Sequence, residues 1–220
     1  MGTRRGARAG LGFVSHGLAA VATVQQIYSV GHSSLSIEAF VALLERHGIE
    51  VVADVRSRPY SARFPHFSQG PIQTSLKSAG IRYVFLGREL GARREEPGCY
   101  VDGQATYDRI AKLPVFAAGI ERLVTGAKKY RVALMCAEQD PLTCHRTILV
   151  GRELKKHGVE IQHIRRSGDL ESGQQAEQRL IAEEIGSVDQ ADIFAKANSL
   201  SGSLEQAYAR RASSIAYKAE

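Results

Sequence analysis

Tryptophan is absent from this chain of 220 residues, and methionine and cysteine are scarce, with two and three copies. Three cysteines, Cys99, Cys136 and Cys144, are too few and odd in number for a disulfide-stapled secreted scaffold, so a cytoplasmic, reducing setting is expected. No apolar run approaches the length of a membrane span, so no membrane partner is expected. No fixed period of similarity recurs, which excludes solenoids and propellers. Acidic residues are missing until Glu38, whereas Arg4, Arg5 and Arg8 precede a mildly apolar stretch from Ala9 to Val24. That pattern resembles a targeting segment, but Gly10, Gly12, Ser15, His16 and Gly17 interrupt it and leave a poor apolar region. Residues 1–26 are therefore read as a disordered or targeting-like extension.

What is present describes an ordinary globular protein: 44% of residues are hydrophobic and 24% charged, enough for one sizeable core. The net charge of +6 is unevenly distributed. Residues 27–168, the expected core domain, hold 21 basic and 14 acidic side chains, whereas residues 169–220 hold 5 and 9. A basic core favours an anionic partner, either a small phosphate- or carboxylate-bearing molecule or a nucleic acid. The C-terminal segment reads as a polar helical extension, peripheral from about residue 187.

Between these ends, apolar runs alternate with helical periodicity. Ile27 to Val30 is a strand that stops at Gly31-His32-Ser33-Ser34, and Ile37, Phe40, Val41, Leu43 and Leu44 mark a helix that Ser34 or Ser36 can cap. His47-Gly48 ends that helix, and Ile49 to Ala53 is a second strand. Ile81 to Leu86, Tyr130 to Met135 and Val159 to Ile164 supply three more, and Gly80 and Gly158 separate helix from strand. Alternation of this kind predicts a three-layer α/β fold with a mostly parallel sheet flanked by helices. Right-handed crossovers would then open the loops after the strands on one edge.

Chemistry-bearing residues gather where those loops open. Cys136 ends the fourth strand, and Cys144, His145 and Arg146 begin the helix that follows, so a thiol would lie near a helix start and a guanidinium, which favour anions and thiolates. Arg146 has the geometry to clamp a phosphate or carboxylate. His32 follows the first strand as a candidate general base; Asp54 and Arg56 follow the second as an orienting carboxylate and an anion ligand. Arg58, Arg63 and His66, interleaved with Tyr60, Phe64 and Phe67, suit contact with a phosphate and a base. Each position also has a plainer role: either thiol can pack as a small hydrophobe, Asp54 can cap backbone or pair with Arg56, and the loop arginines can be solvated. The spacing of Cys136, Cys144 and His145 matches no usual zinc motif, so no metal and no cofactor is expected.

Taken in order, Tyr28-Ser29-Val30-Gly31-His32-Ser33, Asp54-Val55-Arg56 with Pro59, Gly80-Ile81-Arg82-Tyr83, and Cys136-Ala137-Glu138 leading to Cys144-His145-Arg146 resemble the domain of unknown function 488 family over about residues 27–165. The resemblance implies an α/β fold and importance for the Asp-x-Arg and Cys-His-Arg positions, and it carries no activity. A looser likeness links the strand-Cys-loop-Arg-helix order to rhodanese-type and phosphatase-type loops. Those are short, whereas ten positions separate Cys136 from Arg146. The expectation is a thiol-dependent transferase or hydrolase in which Cys136 or Cys144 acts near His32, with Asp54 in support and Arg56, Arg58, His145 and Arg146 holding an anionic substrate. A nucleic-acid or nucleotide-binding module and a thiol–disulfide protein stand as alternatives.

Overall fold

A computed structural model describes Gly2, residues 25–186 and residues 197–219. In chain order the elements are β1 (Gln25–Gly31), α1 (Ile37–Arg46), β2 (Val51–Asp54), α2 (Gln69–Ser78), β3 (Arg82–Phe85), a one-turn α3 (Gly87–Leu90), the short pair β4 (Tyr100–Val101) and β5 (Gln104–Ala105), a one-turn α4 (Tyr107–Ile110), α5 (Pro114–Ala127), β6 (Val132–Cys136), α6 (Arg152–Lys156), β7 (Val159–Ile164), β8 (Leu170–Ser172), α7 (Gly173–Ile185) and α8 (Ala197–Ile215). Six strands form one sheet in the order β3-β2-β6-β1-β7-β8. All neighbours are parallel except β8, which runs antiparallel to β7. The fold is thus the expected three-layer α/β arrangement, and the carboxyl ends of β1, β2, β3, β6 and β7 share one edge.

The period-two alternation of side chains sends each strand's residues to two different cores. In β6, Ala133 and Met135 join Tyr28, Val30, Val52 and the α1 and α2 residues Phe40, Leu44, Ile72 and Leu76. Val132, Leu134 and Cys136 join Ile27, Val51, Ala53 and the α5 residues Phe116, Ile120 and Leu123 on the opposite face. All five β6 residues are buried, which is why that strand reads as a continuous apolar run. Each fully buried Leu, Ile or Phe contributes roughly 1.5–3 kcal/mol of transfer free energy.

Punctuation follows the local chemistry. Ser36 caps α1, its hydroxyl accepting from the Ala39 N–H at 3.2 Å. The helix expected from Cys144 begins instead as a π-helical turn over Arg146–Gly151 and turns α-helical only over α6.

The C-terminal region differs from the polar extension read in the sequence. β8 joins the main sheet, so residue 168 lies within a hairpin rather than at a boundary. Ala207 and Tyr208 of α8 enter the larger core, and Gln104 of β5 bridges to Lys218. The apolar face of α8 is sparse because, among the described residues, Ala207 and Ala212 share it with only Leu204, Tyr208 and Ile215, and alanines carry little periodicity signal. Residues 1, 3–24, 187–196 and 220 lie outside the described residues, and with them nearly all of the expected N-terminal extension. No described helix is long and apolar enough to cross a membrane.

Candidate functional site

Two polar clusters sit at the carboxyl edge, one on each face of the sheet. Their separation follows from register: Asp54 pairs with Met135 and Gly31 with Cys136, so alternation sends the Asp54 carboxylate and the Cys136 thiol to opposite sides.

On the α1 and α2 side, Asp54 is fully buried and takes a bidentate ion pair from Arg56, through Nε at 2.9 Å and Nη2 at 2.6 Å. Tyr83 donates its hydroxyl to the same carboxylate at 2.8 Å, and Arg56 Nη2 also reaches the Phe67 carbonyl at 2.9 Å. His32 donates from Nδ1 to the Ser33 carbonyl at 3.1 Å and turns Nε2 to Arg56 Nη1 at 3.3 Å. Burial and the adjacent guanidinium lower the His32 pKa to about 4, so the ring is neutral at pH 7. Its ring stacks on Phe67 at 4.2 Å. Arg56, expected to hold an anion, spends its guanidinium on Asp54 and the Phe67 carbonyl, which ties the Arg56–Pro71 loop to the strand end. The lone pair through which His32 would act as a base faces Arg56. Arg58 is exposed at the start of this loop.

On the α5 and α6 side, Cys136 and Cys144 are both buried and each lies 3.0 Å from the same oxygen, Glu138 Oε2. His145 Nδ1 stands 3.7 Å from the Cys136 sulfur and 3.9 Å from that of Cys144. The opposite ring nitrogen, Nε2, is 2.9 Å from the Val55 carbonyl and must donate to it. Glu138 is an exposed residue whose carboxylate turns inward over the two sulfurs. The Arg146 guanidinium, 1% exposed, donates to the Glu138 and Gln139 carbonyls at 2.7 and 3.0 Å. It shapes the loop between the thiols, and its Nε has no hydrogen-bond partner among the described residues.

The electrostatics of this cluster are mutual. Burial pushes the Cys144 thiol up, but the hydrogen bond from Cys136 and the Arg146 and His145 charges outweigh it and hold Cys144 well below the ordinary range. Cys136, sharing its proton with Cys144 and buried, is pushed well above it. Burial and the Cys144 charge raise Glu138. Burial lowers His145, and the stronger effect of Cys144 and Glu138 raises it. Cys99 stands apart in the α5-side core, raised by burial and by Glu96.

Backbone hydrogen bonds join the halves. His32 N–H donates to the Cys136 carbonyl at 2.9 Å, Ser33 N–H to that of Ala137 at 2.9 Å, and Val55 N–H to that of Met135 at 3.2 Å. A Cβ on Gly31 would lie 1.8 Å from the Glu138 carbonyl oxygen, so only glycine permits this approach.

The expected residues thus share an edge but not one chemical group: Cys136, Cys144, His145 and Arg146 come together, and His32, Asp54 and Arg56 form the second set. Glu138 was missed in the sequence, although a carboxylate two positions beyond a strand-end cysteine lies on the thiol loop by necessity. A cavity of about 410 Å³, lined by Lys155, Ile161, His163, Glu177 and Tyr208 among others, opens between β7 and the helices α6, α7 and α8 and touches neither cluster.

Fold and site together define a three-layer α/β protein with a cysteine–histidine–glutamate cluster at the carboxyl edge of its sheet. The chain belongs to the family of the domain of unknown function DUF488, whose model matches residues 36–152. That match contains both clusters except for His32. No curated protein matches the sequence.

Proposed function

We propose that the chain is a thiol-dependent enzyme, a transferase or hydrolase, acting on an anionic substrate at the Cys136–Cys144–His145–Glu138 cluster. The observation that carries this reading is a pair of buried sulfurs that share contact with one carboxylate oxygen, of Glu138, and with one imidazole nitrogen, of His145. When Glu138 swings out, Cys144 is the better nucleophile, because the Arg146 backbone N–H lies 3.5 Å from its sulfur. In the reaction the Cys144 thiol proton passes to His145 Nδ1 as a sulfur–carbon or sulfur–phosphorus bond forms, and the leaving group departs with that proton. Water then cleaves the covalent adduct and restores the thiol. Arg58, an exposed arginine of the neighbouring loop, is the anion ligand in this reading, with the exposed Arg63 beside it in the same loop.

The test is a panel of activated carboxylic and phosphoric esters, followed by intact-mass detection of a covalent adduct in metal-free, reduced protein. Turnover or adduct formation that Cys144→Ser abolishes and Cys99→Ser leaves unchanged supports the reading. Cys144→Ser protein as active as the parent overturns it. A second reading, a thiol–disulfide protein, is favoured by one observation, the proximity of Cys136 and Cys144, whose sulfurs lie within 4.8 Å. It calls for a Cys136–Cys144 disulfide on mild oxidation.

A further inference from the structure

The thiol cluster has a second chemical capability that neither nucleophilic nor redox chemistry requires. We propose that Cys136, Cys144, His145 and Glu138 form a four-donor site for a thiophilic divalent cation of the zinc class. The metal site itself stands on geometry alone; its regulatory consequence rests on the thiol reading above.

Distances support it first. The two sulfurs and His145 Nδ1 all lie within 4.8 Å of one another, with sulfur-to-nitrogen separations of 3.7 and 3.9 Å. Zinc–sulfur bonds of about 2.3 Å and zinc–nitrogen or zinc–oxygen bonds of about 2.0–2.2 Å in a tetrahedron put neighbouring donors roughly 3.5–3.8 Å apart. The sulfur–nitrogen edges therefore need almost no adjustment. Glu138 Oε2 lies 3.0 Å from both sulfurs but is not among the three donors that lie within 4.8 Å of one another, so to complete the tetrahedron it has to withdraw from the sulfurs and turn towards His145, which an exposed side chain does by rotating about its own bonds.

The surroundings of the donors point the same way. His145 is held by its Nε2–H on the Val55 carbonyl at 2.9 Å, the outer contact that fixes a metal-bound imidazole's tautomer and aims the free lone pair of Nδ1. The backbone N–H of Arg146 lies 3.5 Å from the Cys144 sulfur, where it stabilises a thiolate. Charge completes the case. Arg146 is buried yet makes no ion pair among the described residues, its guanidinium meeting only two carbonyls. Two thiolates, a carboxylate and a divalent ion sum to a single negative charge, which is the counter-charge that guanidinium lacks. Two soft sulfurs with one imidazole select zinc-like ions over calcium or magnesium.

Metal loading requires both sulfurs as thiolates and His145 Nδ1 without a proton, so the protons these groups carry go to solvent and the sulfur lone pairs are occupied. The same lone pairs are needed for attack on a substrate, so a loaded protein has silent thiols and the ion acts as a switch on the thiol site.

The full chain, reduced and stripped with a chelator, is titrated with Co²⁺ and then with Zn²⁺ against a chromophoric chelator. We expect one equivalent of Co²⁺ to give the visible bands of a tetrahedral ion and a sulfur-to-cobalt charge-transfer band, both lost on addition of one equivalent of Zn²⁺. Cys136→Ser, Cys144→Ser and His145→Ala should each lower Zn²⁺ affinity by at least about tenfold, and Cys99→Ser should not. Glu138→Gln, at an exposed position that does not endanger folding, should weaken binding by about tenfold and alter the cobalt spectrum. Absence of a one-to-one tetrahedral complex in the folded parent protein, or an unchanged spectrum and affinity in Glu138→Gln and Cys144→Ser, overturns the site. Alkylation of the stripped and loaded forms separates the two readings. Tight zinc with thiols inert in the stripped protein retains the metal site and removes the thiol enzyme. Reactive thiols that zinc does not protect retain the enzyme and overturn the metal site.

Discussion

His145 joins two loops that are ninety positions apart: its Nε2–H reaches the Val55 carbonyl at 2.9 Å while Nδ1 faces both sulfurs. The imidazole is thus a clasp between the end of β2 and the thiol loop. His145→Ala should destabilise the protein by about 1–3 kcal/mol, the cost of leaving the Val55 carbonyl without its partner. Urea denaturation measures this, and an unchanged midpoint would remove the clasp.

Asp54 and Arg56 are a buried pair, and removing one partner strands the other. Asp54→Asn should lower stability by about 3–5 kcal/mol, because the Arg56 guanidinium, 6% exposed, keeps its charge. Tyr83→Phe, which removes one hydroxyl donor from the same carboxylate, should cost only about 1 kcal/mol. Equal effects from the two substitutions would mean that the pair is not the main term.

Phe67 anchors the loop between β2 and α2. It is fully buried, stacks on His32 and meets Phe40 edge-on at 5.2 Å. The Phe67 and Gln69 amides donate to the Phe64 and Pro59 carbonyls at 2.9 and 2.8 Å. Both amides should exchange slowly with deuterium, and Phe67→Ala should destabilise by about 3–5 kcal/mol and release them together. Fast exchange of both in the parent protein would show that the loop is held by neither contact.

His163 sets an acid limit on stability. Its Nδ1 lies 2.7 Å from the Ser29 hydroxyl, its Nε2 is buried without a hydrogen-bond partner among the described residues, and burial followed by the nearby Arg146 charge lowers its pKa from 6.5 to about 3. Above pH 6.5 the ring is neutral in folded and unfolded chains alike. As pH falls towards 3, only the unfolded chain takes up the proton, so stability declines with a slope that approaches about 1.4 kcal/mol per pH unit and flattens below that. Denaturation midpoints of the parent and of His163→Gln between pH 7 and pH 4 check this. Parallel pH profiles would exclude His163 as the source.

Much of the architecture was legible from the residues. The continuous apolar run Val132 to Met135 marked a central strand, Ser36 and Gly48 bracketed α1, and Gly80 and Gly158 separated helix from strand. Legibility ended where the outcome depends on which way a long side chain turns. Arg56 and Arg146 look alike in the sequence as free anion ligands, and both turn inward, one to a carboxylate and one to carbonyls. The π-helical turn after His145 has no local signature, and the assignment of Cys136 and Asp54 to opposite faces depends on a register set by whole strands.

Gly31 closes the edge of the sheet to side chains. The Glu138 carbonyl oxygen lies 1.8 Å from where a Cβ at position 31 would be, and the atoms in the way are backbone, so even alanine there has to displace the loop that carries Glu138 instead of being absorbed by the rotation of a side chain. The seat of the glutamate over the two sulfurs is thus set by the absence of a single methyl group on a neighbouring strand.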